Sequence, residues 1–202
     1  MLFWTFVAFL VVASVQSVAA NGNQAGATSN IGSLTYDENI MLPEVTEDDN
    51  VEYLQEYQLS QAKSLVRKGF DVELMRNREV IVIIVGAESL FAQNGVTLTD
   101  AGKKKLTPVL DYIANPDMYK VVLAMYSDDT GSEYYRRSLS EDRAESVLYW
   151  FCSKSPNDNI VAYGLGSENP LYPNNSIVNR AKNRRLEILL IPNNGLIAQA
   201  NE

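Results

Sequence analysis

The sequence predicts an α/β (α+β) domain behind an N-terminal extension, and three observations predict it. From residue 79 the order is strand, helix, strand, helix, strand, loop, strand. That alternation implies helices packed on a sheet that is at least partly parallel. "EVIVIIV" at 79–85 and "KVVLAMY" at 120–126 are continuous apolar runs, the pattern of strands covered on both faces. Apolar residues make up 46 % of the 202 and charged ones 21 %, a balance that allows a packed core.

The elements follow in order. "MLFWTFVAFLVVASVQSVAA" (1–20) carries no charged side chain, and its apolar stretch Leu2–Ala13 has the length of an export-signal core. Val18 and Ala20 supply the small residues that a signal peptidase reads. Ser14, Gln16 and Ser17 keep the run below the roughly 20 apolar residues of a membrane span. Residues 1–20 therefore read as a cleaved signal, with an uncleaved inner-membrane anchor as the alternative. No cysteine lies near the cut, which argues against a lipoprotein. Residues 21–50, rich in Asn, Gly, Ser, Thr and acids, read as a flexible tether.

Residues 51–78 read as a helix and strand extension. Val51, Leu54, Ala62, Leu65 and Val66 lie close to one helical face, and Gly69 stops it. "FDVELMRNREVIVIIV" gives two strands around a turn at Arg76 to Arg78. Thr99 caps a helix whose Leu106, Val109, Leu110 and Ile113 share a face, and Pro108 predicts a late start, a kink or a break. "KVVLAMY" is a strand. "SLSEDRAESVLYWF" is a helix with Ser138 and Glu141 spaced as a capping box. "NIVAYGLG" is a short strand ended by Gly164 and Gly166, and a polar loop with a short helix follows. "RRLEILLIP" is the last strand, apolar on both faces and closed by Pro192; residues 193–202 form a tail.

The net charge of −8 argues against nucleic acid as partner, because phosphate binding leans on clustered Lys and Arg. There is no histidine, which excludes His-based triads, HExxH zinc sites and imidazole proton shuttles. The single cysteine, Cys152, cannot form an intrachain disulfide and, among apolar neighbours, reads as a buried, inert thiol.

"SDDTGSEYYRR" (127–137) contains Asp129-Thr130-Gly131-Ser132, which reads like an aspartic-protease loop. That chemistry needs two carboxylates sharing a proton. This chain has one D-T-G, between an apolar strand and a helical segment, and an acid, Asp128, before it. The spacing of Asp128, Asp129 and Glu133 does not match an EF-hand loop. No cofactor or metal is expected.

Three blocks in order and spacing resemble the OmpA-like C-terminal domain family, over roughly residues 79–192. "LAMYSDDTGS" resembles a strand followed by G-H-T-D-x-x-G-S, "LSEDRAESV" resembles L-S-x-x-R-A-x-x-V, and "NRAKNRRLEI" resembles G-R-A-x-N-R-R-V-E-I. The resemblance implies an OmpA-C-like sandwich, a mixed four-stranded sheet with helices packed on it, preceded by the helix and hairpin strand. It also implies a non-enzymatic module that binds peptidoglycan in the periplasm and tethers the wall to the envelope. Outer-membrane association follows from it too. A partner in the outer membrane, or self-association, would go through the helix at 51–68.

In that family a loop aspartate and a helix arginine hold the free end of diaminopimelate. They map to Asp128 and Arg143. One acid and one fork-shaped cation suit an ammonium and a carboxylate on one carbon. Asp128 as a turn or helix cap, and Arg143 as a surface arginine paired with Glu141 or Glu145, are the plainer readings of the same residues. Ser127, Asp129, Thr130, Gly131, Arg136, Arg184 and Arg185 are the supporting residues; structural roles are expected for Arg184 and Arg185. The chain departs from the pattern at Met125, Tyr126 and Ser127, which replace Gly-His-Thr. Arg136 stands where the family often has an asparagine that takes part in binding.

Overall fold

The computed structural model describes residues 31–46 and 49–202. The expected signal at 1–20 lies outside them, as does the first part of the tether. Helix α1 (Tyr36–Met41) is followed by α2 (Val51–Arg67) and the hairpin β1 (Asp71–Met75) and β2 (Val80–Gly86). Helices α3 (Asp100–Leu106) and α4 (Leu110–Ile113) lead to β3 (Tyr119–Tyr126) and the long α5 (Glu133–Lys154). Then come β4 (Ile160–Gly166), α6 (Ile177–Asn183), β5 (Arg185–Pro192) and α7 (Asn194–Ala200).

The strands form one mixed sheet in the order β1-β2-β5-β3-β4, with β3 and β4 parallel and the other pairs antiparallel. The sheet has five strands because the hairpin strand β1 pairs with β2 instead of standing apart. The turn falls where the sequence put it: Arg76, Asn77 and Arg78 all have positive φ. Parallel neighbours need a long crossover, and α5 supplies it between β3 and β4.

Strand side chains alternate faces, and both faces are covered. Ile81, Ile83, Val121, Leu123, Met125, Leu186, Ile188 and Leu190 face α2, α3, α5 and α7 through Leu54, Leu65, Leu106, Val147, Phe151 and Leu196. Val80, Val82, Val122, Ala124, Tyr126, Leu189 and Ile191 face the other way, toward Tyr36, Ile40 and Tyr163. The apolar side of α2 is thus taken up by the core, while Tyr53 and Val66 stay exposed.

Four local expectations differ from what forms. Residues 31–46, expected within the flexible tether, fold across the second sheet face. Thr35 and Glu38 make a capping box there, and buried Asn39 donates to Ile31 O (2.8 Å) and Tyr163 Oη (2.5 Å). Tyr36 and Ile40 are spaced i, i+4 and supply the apolar side of that turn. Residues 193–202, expected as a tail, carry α7, whose Leu196 and Ala200 are buried. The α5 cap is Ser132, not Ser138: its Oγ accepts the Tyr135 N–H at 3.2 Å, so the helix begins six residues earlier than a cap at Ser138 would allow. Cys152 is half-buried, and burial pushes its thiol up.

Thr99 caps α3 through the Gly102 N–H at 3.0 Å. Pro108 breaks the helix: residues Thr107–Val109 are 3-10 and separate α3 from α4. Among the described residues, no helix is long and apolar enough to cross a membrane.

Candidate functional site

Register brings four chain segments to one end of the sheet. Gly86 pairs with Arg185 between β2 and β5, Met125 pairs with Leu186, and Tyr126 pairs with Gly166. The β3–α5 loop, the segment after β2 and the segment before β5 therefore meet there. Together with α5 they enclose a cavity of about 500 Å3.

The loop is built around Asp128, which is 5 % exposed. Its Oδ1 accepts the Thr130 N–H at 2.8 Å, closing a tight turn. Gly131 then takes φ +86°, a left-handed conformation that suits glycine, and a Cβ there would meet Tyr135 Cδ1 at 3.0 Å. Buried Ser127 donates from Oγ to Asp128 O at 3.1 Å. So the D-D-T-G-S string is turn, turn closure, left-handed corner and helix cap in succession.

The two acids diverge. Asp128 Oδ2 is 2.5 Å from Arg184 Nη1 inside the cavity. Asp129 points outward to Arg180 Nε at 2.8 Å. A shared-proton carboxylate pair does not form. Burial pushes the Asp128 carboxyl up, but the Thr130 N–H and the Arg184 guanidinium outweigh it and leave it below the ordinary carboxylate value. Such an acid stays ionised and is a poor general base.

Arg143 comes from the inner side of α5 and is 5 % exposed. Its Nε donates to Gly95 O at 2.8 Å, and its guanidinium lies 5.0 Å from the Phe91 ring centre. That fixes the group against the wall while its two terminal nitrogens make no hydrogen bond among the described residues. Burial lowers its pKa; Tyr135 opposes this and the like charge of Arg184 adds to it. Neither Glu141 nor Glu145 pairs with it. The plain surface-arginine reading therefore does not describe Arg143.

Arg184 lines the cavity and bridges Asp128 and Glu88. Burial lowers its pKa, and the two carboxylates more than compensate. Arg136 also lines the cavity; its Nη1 donates to Gly131 O at 2.6 Å, with Asp129 O at 3.4 Å. Arg185 is not at the site. It is 2 % exposed on the second sheet face, 3.8 Å from the Tyr126 ring centre and 2.6 Å from Glu187 Oε1. The R-R pair thus splits: Arg184, which ends the segment before β5, lines the cavity, and Arg185, the first residue of β5, faces the other side.

Sequence reasoning missed Glu88, Phe91 and Asn94 as cavity residues. Phe91 sits in a stretch aligned by resemblance, so a signal existed. Glu88 had none, since nothing local marks a glutamate after a strand as the partner of an arginine 96 residues later. Among the described residues, no group of three or more His, Cys, Asp or Glu side chains stands close enough to hold a metal.

A family model, the OmpA family, matches residues 90–184. The chain is 38 % identical over 102 residues to the sodium-type flagellar protein MotY of Vibrio parahaemolyticus, covering 50 % of this chain and 35 % of that one. It is 36 % identical over 115 residues to the peptidoglycan-binding protein ArfA of Mycobacterium tuberculosis, covering 56 % and 35 %. The chain thus spans only part of the length of these relatives. Among solved structures, a MotB-like protein from Desulfovibrio vulgaris superposes with a TM-score of 0.62 at 26 % identity, covering 70 % of this chain and 94 % of that one. The cell wall anchor of the T6SS from Pseudomonas aeruginosa shares the fold, with a TM-score of 0.55 at 23 % identity over 67 % and 95 %. The family model thus identifies residues 90–184 as an OmpA-family domain.

Proposed function

We propose that this chain is a non-catalytic module that binds peptidoglycan through the stem peptide. Diaminopimelate ends in an ammonium and a carboxylate on one carbon. In this reading Asp128 takes the ammonium and Arg143 takes the carboxylate. One observation carries it: two buried, opposite charges from separate elements line one cavity, and the terminal nitrogens of Arg143 are unclaimed. A carboxylate accepts at about four positions, so Asp128 has room for an ammonium beside Thr130 and Arg184. The similarity to a peptidoglycan-binding protein supports the ligand class.

The wall-tethering role, with periplasmic placement and outer-membrane association after export, belongs to the same proposal. A partner that engages α2 would meet its outer side, at Tyr53 and Val66. A hydrolytic reading centred on Asp129 fares worse, because that carboxylate is held outside by Arg180.

Co-sedimentation with purified sacculi tests this. Wild type pellets with the sacculi, and Asp128→Ala and Arg143→Ala each lose most binding while near-UV circular dichroism is kept. Removing one member of a desolvated charge pair costs about 2–5 kcal/mol. Undiminished binding by both folded variants would refute the site.

A further inference from the structure

Cations outnumber anions in the cavity: Arg136, Arg143 and Arg184 face Asp128 and Glu88. Both acids are engaged by Arg184. The donors are not matched in the same way. Arg143 keeps its two terminal nitrogens, as described. Arg136 keeps more: Nη1 is tied to the loop carbonyls of Gly131 and Asp129. Its Nε is buried without a partner, and Nη2 makes no hydrogen bond among the described residues.

Guanidinium geometry makes this pattern meaningful. Nη1 lies on the same side as Cδ, so Nε and Nη2 together form the side-on edge that grips a carboxylate with two parallel hydrogen bonds. The loop carbonyls anchor the arginine by its other corner and leave that edge unmatched. A buried donor without a partner costs stability, and a bound carboxylate would remove that cost. Turning the edge to the cavity takes a rotation of a long side chain already on its wall.

We infer that Arg136 is a specificity residue that grips a second carboxylate of the ligand, so that the cavity selects stem peptides whose acids are free over those carrying an amide. This rests on the reading that the cavity takes the stem peptide. An amide in place of the acid loses the charge and sets an N–H₂ against one N–H of the fork.

The test uses three synthetic tripeptides, L-alanyl-γ-D-glutamyl-meso-diaminopimelate and its two mono-amides. One is amidated at the glutamyl α-carboxyl and the other at the chain-terminal carboxyl. Calorimetric titration of the full chain is expected to show at least one amide binding about tenfold more weakly than the free acid. Arg136→Gln abolishes that preference, bringing the free acid down to the affinity of the disfavoured amide. Arg136→Lys, which keeps the charge and loses the fork, restores only part of it. Equal wild-type affinity for all three peptides overturns the inference. So does a preference that persists in Arg136→Gln, or a uniform loss in that variant, which would mark Arg136 as a loop support only. If no peptide binds, or Arg143→Ala binds as wild type does, the stem-peptide reading itself has failed.

Discussion

Asp128 and Arg185 show how burial sorts charged residues by role. Asp128 is ionised in a cavity, and its partner Arg184 is shared with Glu88. Arg185 is sealed under Tyr126 and beside Glu187, with further bonds to Asn183 O and Asn169 O. Its guanidinium therefore holds the second sheet face together. Arg185→Ala leaves the partly buried Glu187 carboxylate without its cation and should destabilise the fold by about 2–4 kcal/mol, read by urea unfolding. A loss under 1 kcal/mol would show that the pair is dispensable. The adjacency in sequence of Arg184 and Arg185 conceals this division. Arg184 precedes β5 and Arg185 opens it, so only their tertiary positions separate the two roles. Asp128 and Arg143 were placed by resemblance, and the structure does put both in one cavity. Glu88 was not readable, because its role is defined by a tertiary contact alone.

At the scale of elements, α5 governs the site. It carries Arg136 and Arg143 on one continuous scaffold, and it reaches the sheet because β4 offers a glycine. A Cβ at Gly164 would lie 2.2 Å from Glu141 N and 2.5 Å from its Cα, both rigid helix backbone. Gly164→Ala must push α5 off β4. Overpacking of this kind costs roughly 1–3 kcal/mol or more, so the midpoint of thermal unfolding should fall. An unchanged midpoint would mean that the helix sits less tightly than 2.2 Å implies. Gly164 read only as the end of a strand, since close approach to a helix leaves no local mark. The start of α5 was misplaced for a similar reason. "EYYRR" has no apolar stripe, so periodicity could not extend the helix back to Ser132, although the hydroxyl that caps it is a plain signal. The break at Pro108 and the turn at Arg76 to Arg78 were readable, because proline and turn chemistry act locally.

The whole molecule is a sheet closed on both faces, and the second closure comes from residues 31–46. Composition pointed to a tether there, because few apolar residues are present. Tyr36 and Ile40 suffice to cover the sheet when Asn39 and Tyr163 also satisfy the backbone polar groups around them. The closure traps Lys120, 4 % exposed, whose Nζ donates to Asn39 O. Burial, with the nearby Arg76 charge, brings its pKa down from 10.5 to about 8. Because the folded value is depressed, the folded state releases this proton at lower pH than the unfolded chain does. Stability should then rise as pH climbs from about 8 toward 10.5. Half-buried Tyr36, its pKa raised by burial, acts in the opposite sense as pH passes 10.0. Comparison with Lys120→Met therefore isolates the lysine. The variant should lack the rise, measured by urea unfolding at stepped pH, and identical profiles would show that Lys120 is not desolvated.

The central claim is that a zwitterionic amino-acid end sits between Asp128 and Arg143. Amide-resolved NMR during titration with free meso-diaminopimelate tests it most directly. The account predicts saturable shifts at Thr130, whose N–H rests on Asp128. It predicts the same at Gly95 and Val96, beside the carbonyl that anchors Arg143, with none in Arg143→Ala. Shifts confined to the opposite end of the sheet, around Tyr57 and Tyr119, or persisting unchanged in Arg143→Ala, would contradict it.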